Sequence, residues 1–296
     1  MATIAVLGVN GFLGKSVIEG LLSEPFISKI KAPIRILTTS DKKPVESSNV
    51  QYINVKDQKL DSHLEGVDAF INLVGFPHGA TEDIIKAAVS AKVKLYIPSQ
   101  FGTNVEAAQS TLPHFLQGKV DHSEQARAAG LKTVDFNTSL FYANFGGPYL
   151  SPLVTLDGTK ATVLGDGKTL INPSVLADIG KAVASAVTFD DYSKLPNKIR
   201  IYSDRVTVDD LIAKYEKDHD VKLTQEHTSD QEFLKTVVEK YNKDGFNPAD
   251  FVSYLAAVFI AGEGKGNIYE SANEKEIINP NESLFKWTEL ADFPKL

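Results

Sequence analysis

The sequence predicts an α/β protein in which a doubly wound parallel Rossmann sheet is joined to a smaller α+β substrate domain. Two observations support this fold class. Short apolar runs alternate with helical patterns through the first half of the chain, which is typical of βαβ units and of a parallel sheet. A glycine-rich turn at residues 8–14 also stands where the first predicted strand gives way to the first predicted helix.

The first half of the chain predicts six strands with helices between some of them. Each strand is a short run of apolar, often β-branched residues, and each helix shows apolar residues at intervals of three and four. The predicted strands cover residues 4–7, 34–37, 50–53, 69–74, 95–97 and 133–136. The predicted helices cover residues 12–22, 84–93 and 114–129. Right-handed crossovers between such strands give a doubly wound sheet.

The pattern changes in the second half of the chain. Gly146-Gly147-Pro148 interrupts the alternation, and Asp157-Gly158 and Asp166-Gly167 are turn signals between short strand-like runs. A strand is predicted at residues 199–202, and helices are predicted at residues 178–187, 207–217, 229–242 and 249–260. The helix at 178–187 is rich in small residues, which suits close packing against another helix.

This change sets the predicted domain organisation. We predict a dinucleotide-binding Rossmann domain over residues 1–145. A later segment, about residues 174–203, is expected to return to that domain. The smaller C-terminal substrate or cap region then covers residues 146–296.

Composition excludes several functional classes. The 296 residues include no cysteine, so disulfides, thiolate catalysis and cysteine zinc sites are excluded. A net charge of −7 argues against a nucleic-acid or anionic-membrane partner. The six histidines are scattered without matching carboxylates, so no metal site is predicted. No secretory signal pattern is seen, and the apolar run at 251–261 is too short to span a bilayer, so we expect a soluble, cytoplasmic protein.

The glycine-rich turn has the spacing GxxGxxG and predicts a dinucleotide site. The first glycine permits the tight turn, the second admits the pyrophosphate, and the third allows the helix to pack closely on the strand. The phosphates would lie at the N-terminus of the helix, where free N–H groups attract anions. The residues predicted to contact the cofactor here are Gly8, Asn10, Gly11, Phe12, Leu13 and Gly14.

The residues after the second strand bear on the choice between NADP(H) and NAD(H). An enzyme that uses NAD usually places Asp or Glu at the strand end to bind the ribose 2′-OH. Here Thr39 and Ser40 are neutral, and together with Lys42 or Lys43 they could receive a 2′-phosphate. Asp41 would serve the ribose instead if the strand were longer. The pattern favours NADP(H), with NAD(H) as the alternative.

Two further positions are expected beside the cofactor. Gly75 and Phe76 follow the predicted strand at 69–74, where the chain of a doubly wound sheet passes the adenosine and ribose. The missing side chain of Gly75 would allow the backbone to approach the ligand.

Three motifs then resemble a known family. The segment Tyr96-Ile97-Pro98-Ser99-Gln100-Phe101-Gly102 is similar to the PSEFG signature of the isoflavone reductase-like and NmrA-like proteins, which are atypical relatives of the short-chain dehydrogenases. The segment 137–145 and the sequence Ala177-Asp178-Ile179-Gly180 resemble later motifs of the same family. The resemblance covers about residues 3–190. It departs from the family at Gln100, where the signature has Glu, and at Thr39, where many NADP-binding relatives have Arg.

The resemblance implies NADPH use and hydride transfer to a small organic acceptor. By its place on the helix after the signature, Lys119 corresponds to the catalytic lysine that lies near the nicotinamide in the reductases. Gly118 favours a helix that starts here and presents Lys119 in its first turn. The residues expected to line the nicotinamide and an aromatic pocket are Ser99, Gln100, Phe101, Ser139, Phe141 and Phe145.

Two functions from different classes follow. The first is an NADPH-dependent reductase of a small aromatic, enone-like or quinone-like compound, with Lys119 as the catalytic residue and Tyr142 or Tyr149 as alternative acids. The second is a non-catalytic NAD(P) sensor that acts through protein partners. Gln100 favours the sensor, as does the lack of a usable Tyr-x-x-x-Lys pair, because the only match, Tyr52 with Lys56, falls in a predicted strand.

Overall fold

The computed structural model describes residues 1–56, 58–142 and 149–295, without the side chains of residues 149–151. Fifteen strands are named in chain order. They are β1 (Ile4–Leu7), β2 (Ile34–Thr38), β3 (Val50–Asn54), β4 (Ala69–Asn72), β5 (Leu95–Ile97), β6 (Asp135–Asn137), β7 (Leu140–Tyr142), β8 (Tyr149–Ser151), β9 (Val154–Asp157), β10 (Lys160–Leu164), β11 (Leu170–Ile171), β12 (Pro173–Val175), β13 (Lys198–Arg200), β14 (Val206–Thr207) and β15 (Thr224–Thr228).

The α-helices are named in the same way. They are α1 (Gly14–Leu22), α2 (Asp61–Leu64), α3 (Glu82–Ser90), α4 (Val105–Ala108), α5 (Gln117–Ala128), α6 (Leu176–Val187), α7 (Val208–His219), α8 (Asp230–Asp244), α9 (Phe251–Ile260) and α10 (Lys275–Ile278). Within the described residues, no helix combines the length and the apolar character that crossing a membrane requires.

The main sheet has the strand order β3-β2-β1-β4-β5, and every neighbouring pair in it is parallel. A parallel bridge between Tyr96 and Thr133 brings the segment before β6 alongside β5, and β6 in turn pairs in parallel with β13. The order of strands reverses between β1 and β4, which is the switch point of a doubly wound sheet. The predicted α/β fold class is therefore confirmed.

Side chains alternate across this sheet and fill two cores. Ile4 and Val6 of β1 pack in the core that includes α1 and α6, whereas Ala5 and Leu7 pack in the core that includes α3. All four are buried, which explains why β1 reads as a continuous apolar run rather than an alternating one.

Helices α1 and α6 approach each other closely on the first of these faces. A Cβ added to Gly20 would overlap the backbone of Gly180, and a Cβ added to Gly180 would overlap the carbonyl of Ser16. The small residues predicted at 178–187 therefore do allow close packing. Together with the β6–β13 pairing, this contact places α6 and β13 against elements from the first half of the chain.

A second set of elements lies in the C-terminal half. Strands β15, β10, β9 and β8 form a sheet, and β9 and β10 are an antiparallel hairpin turned at Gly158, where the sequence predicted a turn. The side chain of Thr207 caps α7 and that of Ser229 caps α8, both at predicted helix starts.

The predicted domain boundary at residues 145 and 146 lies outside the described residues, so the division into two domains stays a prediction.

One predicted helix is shorter than expected. The pattern indicated a helix over residues 114–129, but α5 begins at Gln117. His114 and Leu116 adopt positive φ angles of 62° and 48°, which an α-helix cannot contain. The short helix α4 was not predicted, because one turn is too short to show a period.

Candidate functional site

The loops that follow β1, β4, β5 and β6 lie along one edge of the main sheet, at the carboxyl ends of the parallel strands. Ligands of doubly wound sheets bind along this edge. The ring of Phe12, after β1, stacks on the ring of Phe141, in β7, with 5.9 Å between centroids and 20° between planes. The glycine-rich turn and the segment 137–142 are therefore direct neighbours, although they are distant in the sequence.

The glycine-rich turn has the geometry that its spacing predicts. Gly8 has a φ of +87°, and a Cβ on Gly14 would overlap the carbonyl of Val9. Helix α1 begins at Gly14 with no side-chain cap and with no acidic residue in its first turn, which leaves this end open to an anion. The side chain of Leu13 is buried in the core, so only its backbone can face a ligand.

Polar contacts tie the turn to the end of β2. The side-chain amide of Asn10 donates to the hydroxyl of Thr38 at 3.0 Å, and the same hydroxyl accepts from the backbone N–H of Ser40 at 3.1 Å. The next side chains, Thr39 and Lys42, are exposed. The ammonium of Lys43 is also exposed and lies 5.9 Å from the ring centre of Tyr52. The strand ends at Thr38, and the residues after it thus present hydroxyls, ammonium groups and the carboxylate of Asp41 to solvent.

The loop after β4 reaches the start of α5. Gly75 and Phe76 are exposed, and no atom lies within 4 Å of a Cβ built on Gly75. The ring of Phe76 covers Gly118, because a Cβ on Gly118 would lie 2.8 Å from Phe76 Cε2. Phe76 therefore limits access to the first turn of α5, which carries Lys119.

Lys119 lies between two cavities on this edge. The smaller, of about 10 Å³, is shared with Phe76, Ser99, Gln100 and other residues, and the larger is the cleft described below. The side chain of Lys119 is half-buried, and burial lowers its pKa to about 8, although the negative charge of Asp135 raises it. Within residues 1–56, 58–142 and 149–295, its ammonium has no hydrogen-bond or ion-pair partner.

A buried polar network supports the backbone of Lys119. The side-chain amide of Gln100 donates to the Lys119 carbonyl and, at 2.8 Å, to the hydroxyl of Ser123. Ser123 donates to Asp135 at 2.8 Å, and Arg127 Nη2 contacts the other carboxylate oxygen of Asp135 at 2.5 Å. Both N–H donors of the Gln100 amide and the Ser123 hydroxyl thus have acceptors, whereas Arg127 Nε has none among the residues that the structure describes. A glutamate at position 100, as in the family signature, would place a carboxylate oxygen against the Lys119 carbonyl oxygen, and the two would repel. The glutamine found here instead donates to that carbonyl.

A second buried network lies beside the smaller cavity, and two of its members, Gly79 and His122, line that cavity. The side-chain amide of Asn72 donates to the Gly79 carbonyl at 2.7 Å and to the Tyr96 hydroxyl at 3.1 Å. The Tyr96 hydroxyl lies 2.8 Å from His122 Nε2. Burial lowers the pKa of His122, which favours the neutral ring. Sequence reasoning missed these roles, because a single histidine or tyrosine carries no pattern by itself.

The larger cavity is a cleft of about 150 Å³ between the sheet edge and α9. Its lining residues are Phe101, Gly102, Thr103, Val105, Leu116, Lys119, Ser139, Leu140, Phe141, Phe251, Leu255, Phe259 and Asn267. Four of the predicted site residues, Phe101, Lys119, Ser139 and Phe141, thus meet at one cavity. The hydroxyl of Ser139 donates a hydrogen bond to the Asn267 carbonyl at 2.6 Å.

The alternative acids lie elsewhere or outside the described residues. Tyr142 is buried against Phe293 and does not line the cleft, and burial raises its pKa to about 12. Phe145 and the side chain of Tyr149 fall outside the described residues. Tyr52 lies in β3, where its hydroxyl donates to the Val45 carbonyl, as expected for a chance Tyr-x-x-x-Lys match.

Comparison with known proteins identifies the family. The sequence matches the NmrA-like family over residues 1–259, which include the glycine-rich turn, the Pro98–Gly102 signature and Lys119. The chain belongs to the NmrA-like family. Among similar proteins, the isoflavone reductase homolog P3 of Arabidopsis thaliana is 27% identical over 263 residues, covering 80% of this chain and 81% of the relative. Eugenol synthase 2 of Clarkia breweri is 27% identical over 260 residues, with the same coverage.

Solved structures share the fold of this NmrA-like chain. Leucoanthocyanidin reductase of Vitis vinifera, solved with NADPH, superposes with a TM-score of 0.68 at 19% identity and 96% coverage of each chain. Triphenylmethane reductase of a Citrobacter species, solved with NADP(H), gives a TM-score of 0.64 at 17% identity and 98% coverage of each chain. At these sequence identities, the structural similarity is evidence for a shared fold alone.

Proposed function

We propose that this NmrA-like protein is an NADPH-dependent reductase that transfers hydride to a small aromatic, enone-like or quinone-like compound. The observation that carries the proposal is the half-buried Lys119 between two cavities at the carboxyl edge of the sheet, with an ammonium that has no partner within the part of the chain that the structure describes. The names of several relatives support a reductase of aromatic compounds, among them phenylcoumaran benzylic ether reductase PT1 of Pinus taeda, which is 25% identical over 258 residues.

The residues on the edge fit a dinucleotide of the NADP type. The glycine-rich turn and the open start of α1 would hold the pyrophosphate. Thr39, Lys42 and Lys43 would hold the 2′-phosphate, because hydroxyls and ammonium groups suit a dianion that a carboxylate would repel. Gly75, with no atom near its missing side chain, leaves room for the ribose and adenosine. When bound, NADPH supplies the hydride.

Lys119 then serves the acceptor. A reduced carbonyl or conjugated system develops negative charge on oxygen, and an ammonium held in a partly dry site stabilises that charge or donates a proton to it. With a pKa of about 8, the Lys119 ammonium is mostly protonated near neutral pH but gives up its proton more readily than an ordinary lysine. The Gln100 side chain fixes the backbone of this residue.

The cleft sets the class of acceptor. Phe141, Phe251 and Phe259 give it an apolar, aromatic lining, and Lys119 is its only charged lining residue among those that the structure describes. Flat apolar rings pack well against such walls. We therefore expect acceptors with an aromatic ring next to a reducible oxygen-bearing group.

Acceptor-dependent oxidation of NADPH tests the proposal. Purified protein is screened with aromatic ketones, enones and quinones, and NADPH consumption and product are both measured. Turnover is expected, and Lys119→Met should lower it by about 100-fold or more, within the usual contribution of a general acid. The control is Lys235→Met, which removes an exposed lysine from α8 that lines neither of the two cavities.

Two outcomes would contradict the proposal. The first is unchanged turnover of Lys119→Met in a folded protein, which would remove Lys119 from the chemistry. The second is tight NADPH binding without turnover of any acceptor, which is the behaviour of the sensor alternative. In that case Lys119→Met should leave binding of protein partners intact.

A further inference from the structure

Asn10 connects the glycine-rich turn to the end of β2 through its side chain. It stands in the turn between Gly8 and Gly11, and its side-chain nitrogen lies 3.0 Å from the hydroxyl of Thr38, the last residue of β2. In doubly wound sheets, the group at the end of this strand meets the 2′ position of the adenosine ribose. The amide of Asn10 therefore lies beside the position that distinguishes NADP from NAD.

The contacts of Thr38 determine which end of the Asn10 amide faces the strand. The Thr38 hydroxyl has one proton, which it donates to the Ser40 carbonyl at 3.3 Å. The same oxygen accepts from the Ser40 N–H at 3.1 Å, so toward Asn10 it can act only as an acceptor. Asn10 must therefore turn an N–H group, rather than its side-chain oxygen, toward Thr38. Because Thr38 is buried, this anchor is kept away from solvent.

The rest of the Asn10 amide is open to a ligand. The residue is exposed, and across the described ranges of the chain neither its second N–H nor its side-chain oxygen has a hydrogen-bond partner. A neutral amide does not repel a phosphate as a carboxylate would. An N–H that donates to an anion also makes a stronger hydrogen bond than one that donates to a neutral oxygen.

The charges that follow β2 favour an anion on the same side. Lys42 and Lys43 are exposed there with one carboxylate, that of Asp41, so positive charge is in excess. A lysine ammonium is a compact charge on a flexible stem, and it attracts a phosphate without fixing its direction. The amide of Asn10, held by Thr38, supplies a donor of fixed direction.

We propose that Asn10 recognises the 2′-phosphate of the cofactor by donating its second side-chain N–H to a phosphate oxygen, and that it thereby selects NADP(H) over NAD(H). The proposal rests on the proposed function in one respect, in that it takes this edge of the sheet as the dinucleotide site. Lys42 and Lys43 attract the phosphate, whereas Asn10 positions it. Asn10 is a specificity residue and takes no part in hydride transfer.

A matched pair of ligands that lack the nicotinamide tests the proposal without turnover. 2′-Phospho-ADP-ribose and ADP-ribose differ in the 2′-phosphate alone. Their dissociation constants are measured by calorimetry at low ionic strength, where charges are least screened. The wild-type protein should bind the phosphorylated ligand about 100-fold more tightly, of which the two lysines account for about tenfold and the amide for about tenfold.

Three variants and one control assign the preference to the amide. Asn10→Ala should lower it about tenfold. Asn10→Asp should lose it entirely, because the carboxylate repels the phosphate and accepts from a free ribose 2′-OH. Thr38→Val, which removes the anchor of the amide, should lower the preference about threefold. Asn242→Asp adds the same charge to an exposed position of α8 and should keep the wild-type preference.

Thermal unfolding of each unliganded variant shows whether it is folded. Equal affinity of the wild-type protein for the two ligands would overturn the proposal, and so would tighter binding of ADP-ribose, which is expected if Asp41 holds the ribose instead. Folded Asn10 variants that keep the full preference would also overturn it, because the lysines would then account for the preference alone. If neither Asn10 variant folds, an unchanged preference in Thr38→Val would overturn it. A failure of the reductase proposal would show instead as absent NADPH turnover with this preference intact.

Discussion

Replacing Lys119 by methionine should make the protein more stable near neutral pH. Methionine keeps the apolar stem of the side chain and removes the charge. The pKa of Lys119 falls from 10.5 to about 8 on burial, and each pH unit corresponds to about 1.4 kcal/mol. The charged form thus costs about 3 kcal/mol in the folded protein, and the partial exposure of the side chain reduces that to about 2 kcal/mol.

The pH dependence of this gain has a definite sign. The folded pKa lies below the unfolded pKa, so between about pH 8 and pH 10.5 the unfolded chain binds more protons than the folded chain. The stability of the wild-type protein therefore rises with pH in this window, relative to Lys119→Met. The advantage of the variant is full below about pH 8 and disappears above about pH 10.5.

Urea unfolding at about pH 7 and about pH 10.5 measures both effects through the free energy of unfolding. Lys15→Met, on the exposed face of α1, is the control and should change stability by less than about 0.5 kcal/mol at either pH. The reasoning is refuted if Lys119→Met is no more stable than the wild-type protein at neutral pH. It is also refuted if the gain does not decrease as the pH rises.

Three further predictions concern the helix packing, the cofactor and the buried network. Gly20→Ala should lower the free energy of unfolding by about 2–4 kcal/mol in a urea titration, because the new methyl group overlaps α6. The double variant Lys42→Ala, Lys43→Ala should weaken NADPH binding about tenfold in low-salt calorimetry and leave NADH binding unchanged. Asp135→Asn should lower the pKa of Lys119 further, because the negative charge of Asp135 raises that pKa in the wild-type protein and the variant lacks this charge. The alkaline limit of activity should therefore move to lower pH.

The parts of the site that depend on local sequence pattern and on the order of the strands could be predicted from the sequence. Strand β1, the glycine-rich turn and α1 are contiguous, and the sequence period identifies each of them. Because the carboxyl ends of parallel strands share an edge, Phe101, Ser139 and Phe141 could be expected together before the fold was known. The structure brings these three to the same cleft as Lys119.

The remaining features depend on long-range contacts that leave no local signal. Asn267 meets Thr103 across 164 residues of sequence, and an isolated asparagine predicts nothing by itself. Asp135 carried a weak signal, since an acid within an apolar strand is expected to have a buried partner. Its partner Arg127 lies on α5. The predicted start of this helix was too early, because the spacing of apolar residues does not reveal the positive φ angles at His114 and Leu116.

Transfer of deuterium from NADPH labelled at the nicotinamide C4 position tests the central proposal most directly. The protein is incubated with each C4 stereoisomer of the labelled cofactor and the aromatic acceptors, and the products are analysed by mass spectrometry. One stereoisomer should deliver deuterium to carbon in the product, and Lys119→Met should nearly abolish the labelled product. Labelled NADPH that binds tightly but is recovered intact with every acceptor would contradict a reductase and would support a dinucleotide sensor.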